Sequence, residues 1–480
     1  MTKTAAICVL LAAVGSAQEA PSYRGMVRLN RAPVSNEVLK VKLPRPEDRT
    51  LSNGLKLVIL QSNRTPTISV SISIPSSRLR DPAGMPGVAE ATAAMMMMGT
   101  ATRSARQISE ALADIGATVS FGGGGGGGRG GRGGGGGDEG TISVSAMTEN
   151  FDEALGILAD ILLHASFPAD ELEKWKGRQR AALEQQRTNP AMLSNEMLMK
   201  VMYPGDARQF TRLTEESLDK ITRDVLVDHY KKYVVPSGEL AGVVGDIAPR
   251  DAVAKLEKAL GAWKGGPVEP VKLAVDPPIG EKKVYLISRA GSVQTSLTLA
   301  NRAISRTDPD YIPCMVMNQV LGAGTAARLF RIIREEKGYT YGVSSSFAAS
   351  KTANHFFSSM SVRTEVTEPA LADLLKEFRE IREAPVPQDE LDGAKRTMVA
   401  RFALDLENPS GVLARWMQQR EFKLPEDYWD TFSAKVMAVT AEDVQRVARK
   451  YVPYDNVQII AVGDGAKIRE SLKKFGPVVE

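Results

Sequence analysis

The pattern of apolar and polar positions predicts two strands and two helices near the start of the chain. TISVSISI, at 67–74, has an apolar residue at every second position, which is the period of a strand with one buried face. LKLVIL, at 55–60, is predicted to be its paired strand, also with one buried face. Helices are predicted at about 86–98 and at about 105–115. Ser104 can cap the second helix, because its hydroxyl can accept from the free amides of the first turn.

The pattern that follows predicts an α+β fold. Strands are expected near 117–121 and 141–147, followed by a long helical series from 150 to 234. Strands clustered beside segregated helices favour domains in which a β-sheet is covered on one face by helices.

The second half of the chain repeats the first. Residues 221–234, ITRDVLVDHYKKYV, match residues 439–452, VTAEDVQRVARKYV, and each stretch is followed by a predicted strand that ends in Val-Gly-Asp. Asn189-Pro190 recurs as Asn408-Pro409, at nearly the same offset. A fixed internal offset of this length indicates one domain used twice.

The repeat defines the expected domain organisation. Two homologous domains are predicted at 48–250 and 283–475, joined by a Pro- and Gly-rich linker at 265–282. The glycine tract at 122–137 falls between two strands of the first domain and is interpreted as a flexible hairpin insertion. A phosphate loop is rejected, because no Gly-Lys-Ser/Thr opens a helix after the tract. Its two arginines are weak evidence for RNA binding.

The N-terminal segment is predicted to be a secretory signal peptide. Residues 1–17 contain Lys3, an apolar run and then small residues, in the order that export requires. The alternative is a frayed cytoplasmic N-terminus. Export to the periplasm or outside the cell would leave Cys314 as the single thiol of the mature chain, since Cys8 lies within the signal.

Composition argues against two further classes of protein. The formal net charge is +4 and the basic residues are spread along the chain, so no nucleic-acid partner is expected. After residue 17 no stretch approaches the roughly twenty apolar residues of a membrane helix. The mature chain is therefore expected to have no membrane span.

Several motifs carry a resemblance to a known family. They are LSNGLKLVIL, RLRDPAGMPGVAE, MGT and GYTYGVSSSF. Together they resemble the pitrilysin/insulinase family of zinc peptidases, in particular the two-domain type that includes mitochondrial processing peptidase. The resemblance extends from about residue 48 to about residue 470. It implies a metallopeptidase fold of the LuxS/processing-peptidase type in each domain.

The zinc motif of that family is degenerate here. The family segment aligned with GVAEATAAMMMMGT, at 87–100, carries His-x-x-Glu-His, whose two histidines share one helix face and whose glutamate acts on the metal-bound water. The resemblance places the first ligand at Glu90, the base at Ala93 and the second ligand at Ala94. Alanine can neither bind zinc nor accept a proton. The downstream third ligand of the family is matched to Glu184, a possible relic that cannot hold zinc by itself.

No other residues are expected to replace the motif. The chain has three histidines, His164, His229 and His355, and they show no ligand spacing. The chain is therefore predicted to bind no zinc and to lack catalytic residues of its own.

The second half keeps a different family signature. RLFRIIREEKGYTYGVSSSF, at 328–347, is similar to the segment in which an arginine and a tyrosine bind substrate near the scissile bond. The resemblance assigns those roles to Arg334 and Tyr341. Both side chains can donate hydrogen bonds to a carbonyl or its oxyanion. The residues alone favour a different reading, in which Arg334 is a helix-end cation and Tyr341 a strand residue; the matching context favours the substrate-binding role.

The resemblance also implies a partner. Two-domain members pair, and the zinc held by one subunit faces the Arg/Tyr pair of the other. The chain is interpreted as the non-catalytic, substrate-binding subunit of a heterodimeric peptidase, whose homologous partner holds the zinc and whose substrate is a peptide. The alternatives are a peptide-binding or structural protein without an enzymatic role and, less favoured, a self-sufficient peptidase with an unrecognised site.

Overall fold

The structure repeats one architecture in two halves of the chain. The computed structural model describes residues 41–123, 139–210, 212–236, 238–273, 277–351 and 354–480. Within these residues each half forms a six-stranded sheet with its own helices, which confirms the predicted α+β fold and the duplication.

The first half contains six strands and eight α-helices among the described residues. The strands are β1 (Glu47–Thr50), β2 (Lys56–Gln61), β3 (Thr67–Ile74), β4 (Thr118–Gly122), β5 (Gly140–Met147) and β6 (Leu240–Gly245). The helices are α1 (Val88–Met96), α2 (Ala105–Asp114), α3 (Phe151–His164), α4 (Ala169–Arg187), α5 (Pro190–Met202), α6 (Glu215–Lys220), α7 (Arg223–Tyr233) and α8 (Pro249–Leu260).

The second half repeats this order with two differences: one helix is of a different type, and the edge strand β12, which corresponds to β1, comes last rather than first. Its strands are β7 (Lys283–Ser288), β8 (Gln294–Arg302), β9 (Thr340–Ala349), β10 (Asn354–Arg363), β11 (Gln458–Gly463) and β12 (Val478–Val479). Its helices are α9 (Tyr311–Leu321), the π-helix Phe330–Glu336, α10 (Thr367–Glu383), α11 (Gln388–Asp405), α12 (Pro409–Glu421), α13 (Phe432–Ala438), α14 (Ala441–Tyr451) and α15 (Gly465–Leu472).

The two sheets have matching strand orders. The first runs β1-β2-β6-β3-β5-β4 and the second runs β12-β7-β11-β8-β10-β9. In each sheet a strand from late in the half pairs parallel to a strand from early in the same half, as β6 does with β2 and β11 with β7. β4 and β9 therefore occupy equivalent edges.

One detail of the strand prediction is wrong. β3 shows the expected single buried face, but all four central residues of β2, Leu57 to Leu60, are buried. The two strands are also not neighbours, because β6 lies between them. Because β6 lies far along the chain from β2 and β3, the local pattern of apolar and polar residues does not predict its position between them. A continuous apolar run such as LVIL is typical of a strand buried on both faces.

The second buried face of each sheet comes from a helix exchanged between the halves. Leu57 and Ile59 of β2 belong to the core of the first half, whereas Val58 and Leu60 pack with the second half, where α12 lies across β2 and β6. In return α5 lies across β8 and β11, where Leu198 packs with Ile460.

Close contacts fix the positions of both exchanged helices on the sheets. Gly242 of β6 faces α12 so closely that a Cβ atom there would lie 2.9 Å from Leu413 and 3.0 Å from Met417. On the other side Ser194 Oγ of α5 lies 2.8 Å from Thr298 Oγ1 of β8, and both side chains are buried. The halves therefore share one interlocked interior.

Several sequence predictions fall partly or wholly outside the described residues. The signal peptide at 1–17 does, and so does the glycine insertion apart from Gly122 and Gly123. In the predicted linker, residues 265–273 and 277–282 contain neither helix nor strand.

Degenerate metal site and candidate substrate-binding site

A buried carboxylate fixes the start of α1. Asp81 Oδ2 accepts from the Gly87 amide at 2.6 Å, and Asp81 Oδ1 accepts from the Ala89 amide at 2.8 Å. Gly87 itself has φ of 99°, and a Cβ atom there would lie 2.5 Å from Leu213 Cβ. Sequence reasoning missed Asp81, because the residue lies in a loop with no local capping pattern.

Glu90 projects from the first turn of α1. Its side chain reaches solvent, yet surrounding protein atoms desolvate the carboxylate and raise its pKa. Burial also raises the pKa of Asp81 to about 6, against two backbone hydrogen bonds that lower it, and the charge of Glu90 adds to the rise. Both acids therefore favour the protonated form more than ordinary carboxylic acids do.

The two alanines lie where the helical spacing predicts. Ala93 is buried and Ala94 is half-buried, three and four residues after Glu90 and thus on the same side of α1. Their methyl groups offer no lone pair, so Glu90 is left as the sole potential ligand among these three positions. The residues at this site therefore do not fit zinc.

The strand before the glycine tract runs directly against α1. A Cβ atom on Gly123 would lie 2.6 Å from the Ala89 carbonyl and from the Glu90 amide nitrogen. Only glycine fits there without moving the helix backbone. The first turn of α1, which bears Glu90, is therefore in contact with backbone rather than with side chains at this point.

Glu184 does not join the degenerate site in a metal cluster. It lies in α4 with a largely exposed side chain, and its Oε1 accepts from Arg187 Nη1 at 2.9 Å. Nowhere in the described part of the chain do three or more histidine, cysteine or acidic side chains form a group suited to a metal ion.

Each histidine contacts one polar side chain through one of its ring nitrogens. His164 lies on the surface beside Asp160, whereas His229 and His355 are buried. The contacts join His164 Nδ1 to Asp160 Oδ1 at 3.1 Å, His229 Nε2 to Ser76 Oγ at 3.0 Å and His355 Nδ1 to the Tyr203 hydroxyl at 2.9 Å. Burial lowers the pKa of both His229 and His355 to about 4.

The purified chain is expected to hold no stoichiometric zinc and to cleave no peptide by itself. The reason is that Ala93 and Ala94 supply neither base nor ligand and that Glu184 lies on the surface. Elemental analysis of the purified protein and a peptide-cleavage assay with and without chelator measure both properties. One tightly held zinc per chain with chelator-sensitive cleavage would show that the site assignment is wrong.

His355→Gln is expected to flatten the loss of stability in acid. The folded state holds this histidine neutral, so its ionisation does not affect the free energy of unfolding above about pH 6.5. As the pH falls from there towards about 4, the unfolded state takes up the proton and the free energy of unfolding decreases. The slope is about 1.4 kcal/mol per pH unit for one proton. Denaturation measured at several pH values gives the difference in unfolding free energy between parent and variant. Parallel curves would contradict the assignment.

Arg334 lies on the π-helix Phe330–Glu336. Single π-helical turns are rare and are found frequently at functional sites. The guanidinium stacks over the Phe330 ring, 4.6 Å from its centre, and no carboxylate of the described residues lies within 4 Å of it. The side chain is exposed, so most of its donors face solvent.

A β-bulge turns Tyr341 outward from the edge of the second sheet. Tyr341 and Gly342 of β9 stand opposite Ser361 alone, and the register of β9 and β10 shifts at this point. Thr340 Oγ1 stabilises the bulge by donating to Ser361 O and accepting from the Gly342 amide. The tyrosine is 89% exposed. Bulges of this kind re-aim side chains next to functional sites.

A partly buried ion pair anchors the beginning of the π-helix. Arg328 Nε lies 3.0 Å from both carboxylate oxygens of Glu390 in α11, and Arg328 Nη2 lies 2.6 Å from Oε2. The pair sits beside buried Glu377, whose pKa is raised chiefly by burial. Arg328 is thus a positioning residue for the segment that carries Arg334. This role could not be predicted from the sequence, because Glu390 is distant along the chain.

Two family models match successive parts of the chain. Residues 57–214 match the model described as insulinase, peptidase family M16, and residues 220–398 match the model described as the peptidase M16 inactive domain. With the two matching folds and the degenerate helix α1, these matches show that the chain belongs to the M16 family.

Individual relatives cover nearly the same span. An uncharacterized zinc protease of Bacillus subtilis, YmxG, is 22% identical over 85% of this chain and 95% of the relative. A Helicobacter pylori protein named non-peptidase homolog YmxG is 23% identical over 68% of this chain and 75% of the relative. The crystal structure of a peptidase M16 inactive domain from Pseudomonas fluorescens is 25% identical, with a TM-score of 0.78 over 87% of this chain and 98% of that one.

A helix that crosses a membrane must be both long and apolar. Among the described helices, none combines the two properties that crossing a membrane requires.

Proposed function

We propose that this chain is the non-catalytic, substrate-binding subunit of an exported heterodimeric zinc peptidase. Its partner is a homologous chain that holds the zinc. One observation carries the proposal: the zinc helix keeps its frame without its chemistry, whereas Arg334 and Tyr341 stay exposed on an unusual π-helix and β-bulge.

The exposed pair suits work on a substrate held by another chain. A guanidinium and a phenol donate hydrogen bonds to a peptide carbonyl or its oxyanion without losing a proton. Arg334 has no carboxylate within 4 Å in the described part of the chain, so an incoming group does not compete with an internal ion pair.

The position of Tyr341 favours an extended peptide as the substrate. β9 is the edge of its sheet, so the outer side of the strand has no neighbouring strand in the described structure. A peptide in β conformation can pair with such an edge, and alternate side chains then face the protein. Tyr341 would stand at one end of that peptide.

Two comparisons support the non-catalytic part of the proposal. The second half matches a family model that is described as inactive, and one relative is named a non-peptidase homolog. Export rests on the signal pattern at residues 1–17. Pairing rests on the incomplete site, because the chain presents the Arg/Tyr pair while its described residues include no group that fits the metal.

Reconstitution tests the proposal. A homologous chain with an intact His-x-x-Glu-His motif, encoded by a neighbouring gene of the same genome, would be expressed alone and together with this chain. Co-purification and a large rise in peptide cleavage are expected only for the mixture. A stable complex without added cleavage would favour the alternative, a peptide-binding or structural role. No complex with any such homologue would contradict the pairing.

A further inference from the structure

A pocket of about 260 Å³ lies in the second half, where the C-terminal ends of α10 and α14 meet. Three arginines line it: Arg302 at the end of β8, Arg382 near the end of α10, and Arg449 near the end of α14. They belong to three separate elements, so the cluster cannot be recognised as a run of basic residues in the sequence.

Backbone carbonyls hold all three guanidinium groups in place. Arg302 Nε donates to Met202 O at 2.6 Å, Arg382 Nη1 donates to Val452 O at 2.7 Å, and Arg449 Nε donates to Arg382 O at 2.8 Å. A second bond joins Arg302 Nη1 to Pro277 O. Each guanidinium has five N–H donors, so several remain for a ligand, and a neutral carbonyl leaves the positive charge in place.

Carboxylates compensate this charge only in part. Among the described residues, Asp455 is the single acidic one that lines the pocket; its side chain is 79% exposed and lies 3.4 Å from Arg382 Nη2. Arg302 and Arg449 have no carboxylate within 4 Å among the described residues. Lys450 also lines the pocket, but Asp310 pairs with it at 3.1 Å.

The ends of the two helices reduce the positive charge without removing it. Each helix C-terminus carries roughly half a negative charge, located on its last carbonyl groups. The hydrogen bonds from the arginines to these carbonyls offset part of it. Among the described groups, three guanidinium charges against Asp455 and two helix ends leave an excess of about one positive charge. An anion would complete the balance.

We propose that this pocket binds a phosphate-class oxyanion, either as the free ion or as the phosphate of a lipid head group. Guanidinium forks match the geometry of phosphate oxygens, and two or three of them on one ion are typical of phosphate recognition. The pocket has room for a small anion and is below the usual size of sites for drug-sized ligands. This function is separate from the proposed role in peptide cleavage and does not depend on it.

Calorimetric titration of the full chain with inorganic phosphate tests the site. Chloride is adjusted to keep ionic strength constant, so that screening alone produces no signal. The parent is expected to bind one phosphate saturably, and Arg449→Gln to bind about tenfold to hundredfold more weakly. Arg379→Gln is the matched control, since Arg379 lies on α10 one turn before Arg382 and outside the pocket. Equal weakening in Arg379→Gln would overturn the proposal.

A second variant tests the charge balance in the opposite direction. Asp455→Asn removes the exposed carboxylate without disturbing the carbonyl bonds, and should tighten phosphate binding severalfold. It also keeps the test decisive if Arg449→Gln does not fold. Unchanged affinity in Asp455→Asn would contradict the proposed electrostatics.

Sedimentation with lipid vesicles separates the two sources of phosphate. Vesicles containing phosphatidylglycerol are compared with vesicles of phosphatidylcholine alone, using the parent and Arg449→Gln. Binding to the anionic vesicles that Arg449→Gln loses assigns the site to head groups, whereas binding of phosphate without vesicle binding assigns it to the free ion. If the parent binds neither, the proposal is wrong.

Discussion

Arg334→Ala is expected to lower turnover of the reconstituted peptidase by about a hundredfold. The substitution removes a guanidinium that is exposed on the π-helix and has no carboxylate within 4 Å among the described residues. Loss of one oxyanion-type donor has an effect of this size in other hydrolases. Initial rates at saturating peptide, with the complex verified by gel filtration, measure the change.

Neighbouring substitutions separate a substrate contact from a general disturbance. Arg331→Ala lies on the same π-helix, where Arg331 is exposed and paired with Glu336, and it should leave turnover almost unchanged. Tyr341→Phe removes only a hydroxyl from an exposed ring and should reduce turnover while the complex still forms. Glu90→Ala should have little effect, because no metal depends on that carboxylate.

The outcome distinguishes the competing functions. If the complex forms, cleaves peptide and is as active with Arg334→Ala as with the parent, this chain is a scaffold for its partner. Equal losses in Arg334→Ala and Arg331→Ala would indicate that the π-helix is disturbed as a whole.

Trp416→Ala is expected to lower the free energy of unfolding by about 3–5 kcal/mol. Trp416 is 2% exposed on α12, and its indole nitrogen donates to Pro44 O at 2.8 Å. The guanidinium of Arg45 lies 4.6 Å from the centre of its ring. The side chain thus connects a helix of the second half to the beginning of the first.

Hydrogen exchange measures which elements lose stability in Trp416→Ala. Because α12 covers β2 and β6, Trp416→Ala should reduce amide protection in those strands of the first half as well as in α12. Ala414→Ser, at an exposed position of the same helix, should change the free energy of unfolding by less than about 0.5 kcal/mol. Loss of protection confined to the second half would contradict the interlocked interior.

Local features of the fold could be predicted because their causes lie within a few residues. The alternation in β3 follows from TISVSISI, and the predicted cap at Ser104 is confirmed as a capping box with Gln107. The repeat predicted two domains of one type because matched residues recur at a fixed offset.

The features that the sequence did not predict depend on distant contacts. Both faces of β2 are buried because α12 arrives from the other half, and Arg328 is anchored by Glu390 across the second half. For the candidate site, the resemblance supplied Arg334 and Tyr341, but neither the π-helix nor the bulge that presents them. Those two irregularities arise from tertiary context rather than from a local period.

The exchange of α5 and α12 has a consequence for synthesis on the ribosome. The first sheet is complete once β6 has emerged, but α12, which covers its second face, is made only after most of the second half. At ordinary elongation rates this interval is on the order of ten seconds. The nascent chain therefore carries an uncovered apolar sheet face during that time, which makes it a natural client for holding chaperones and prone to aggregate when they are scarce.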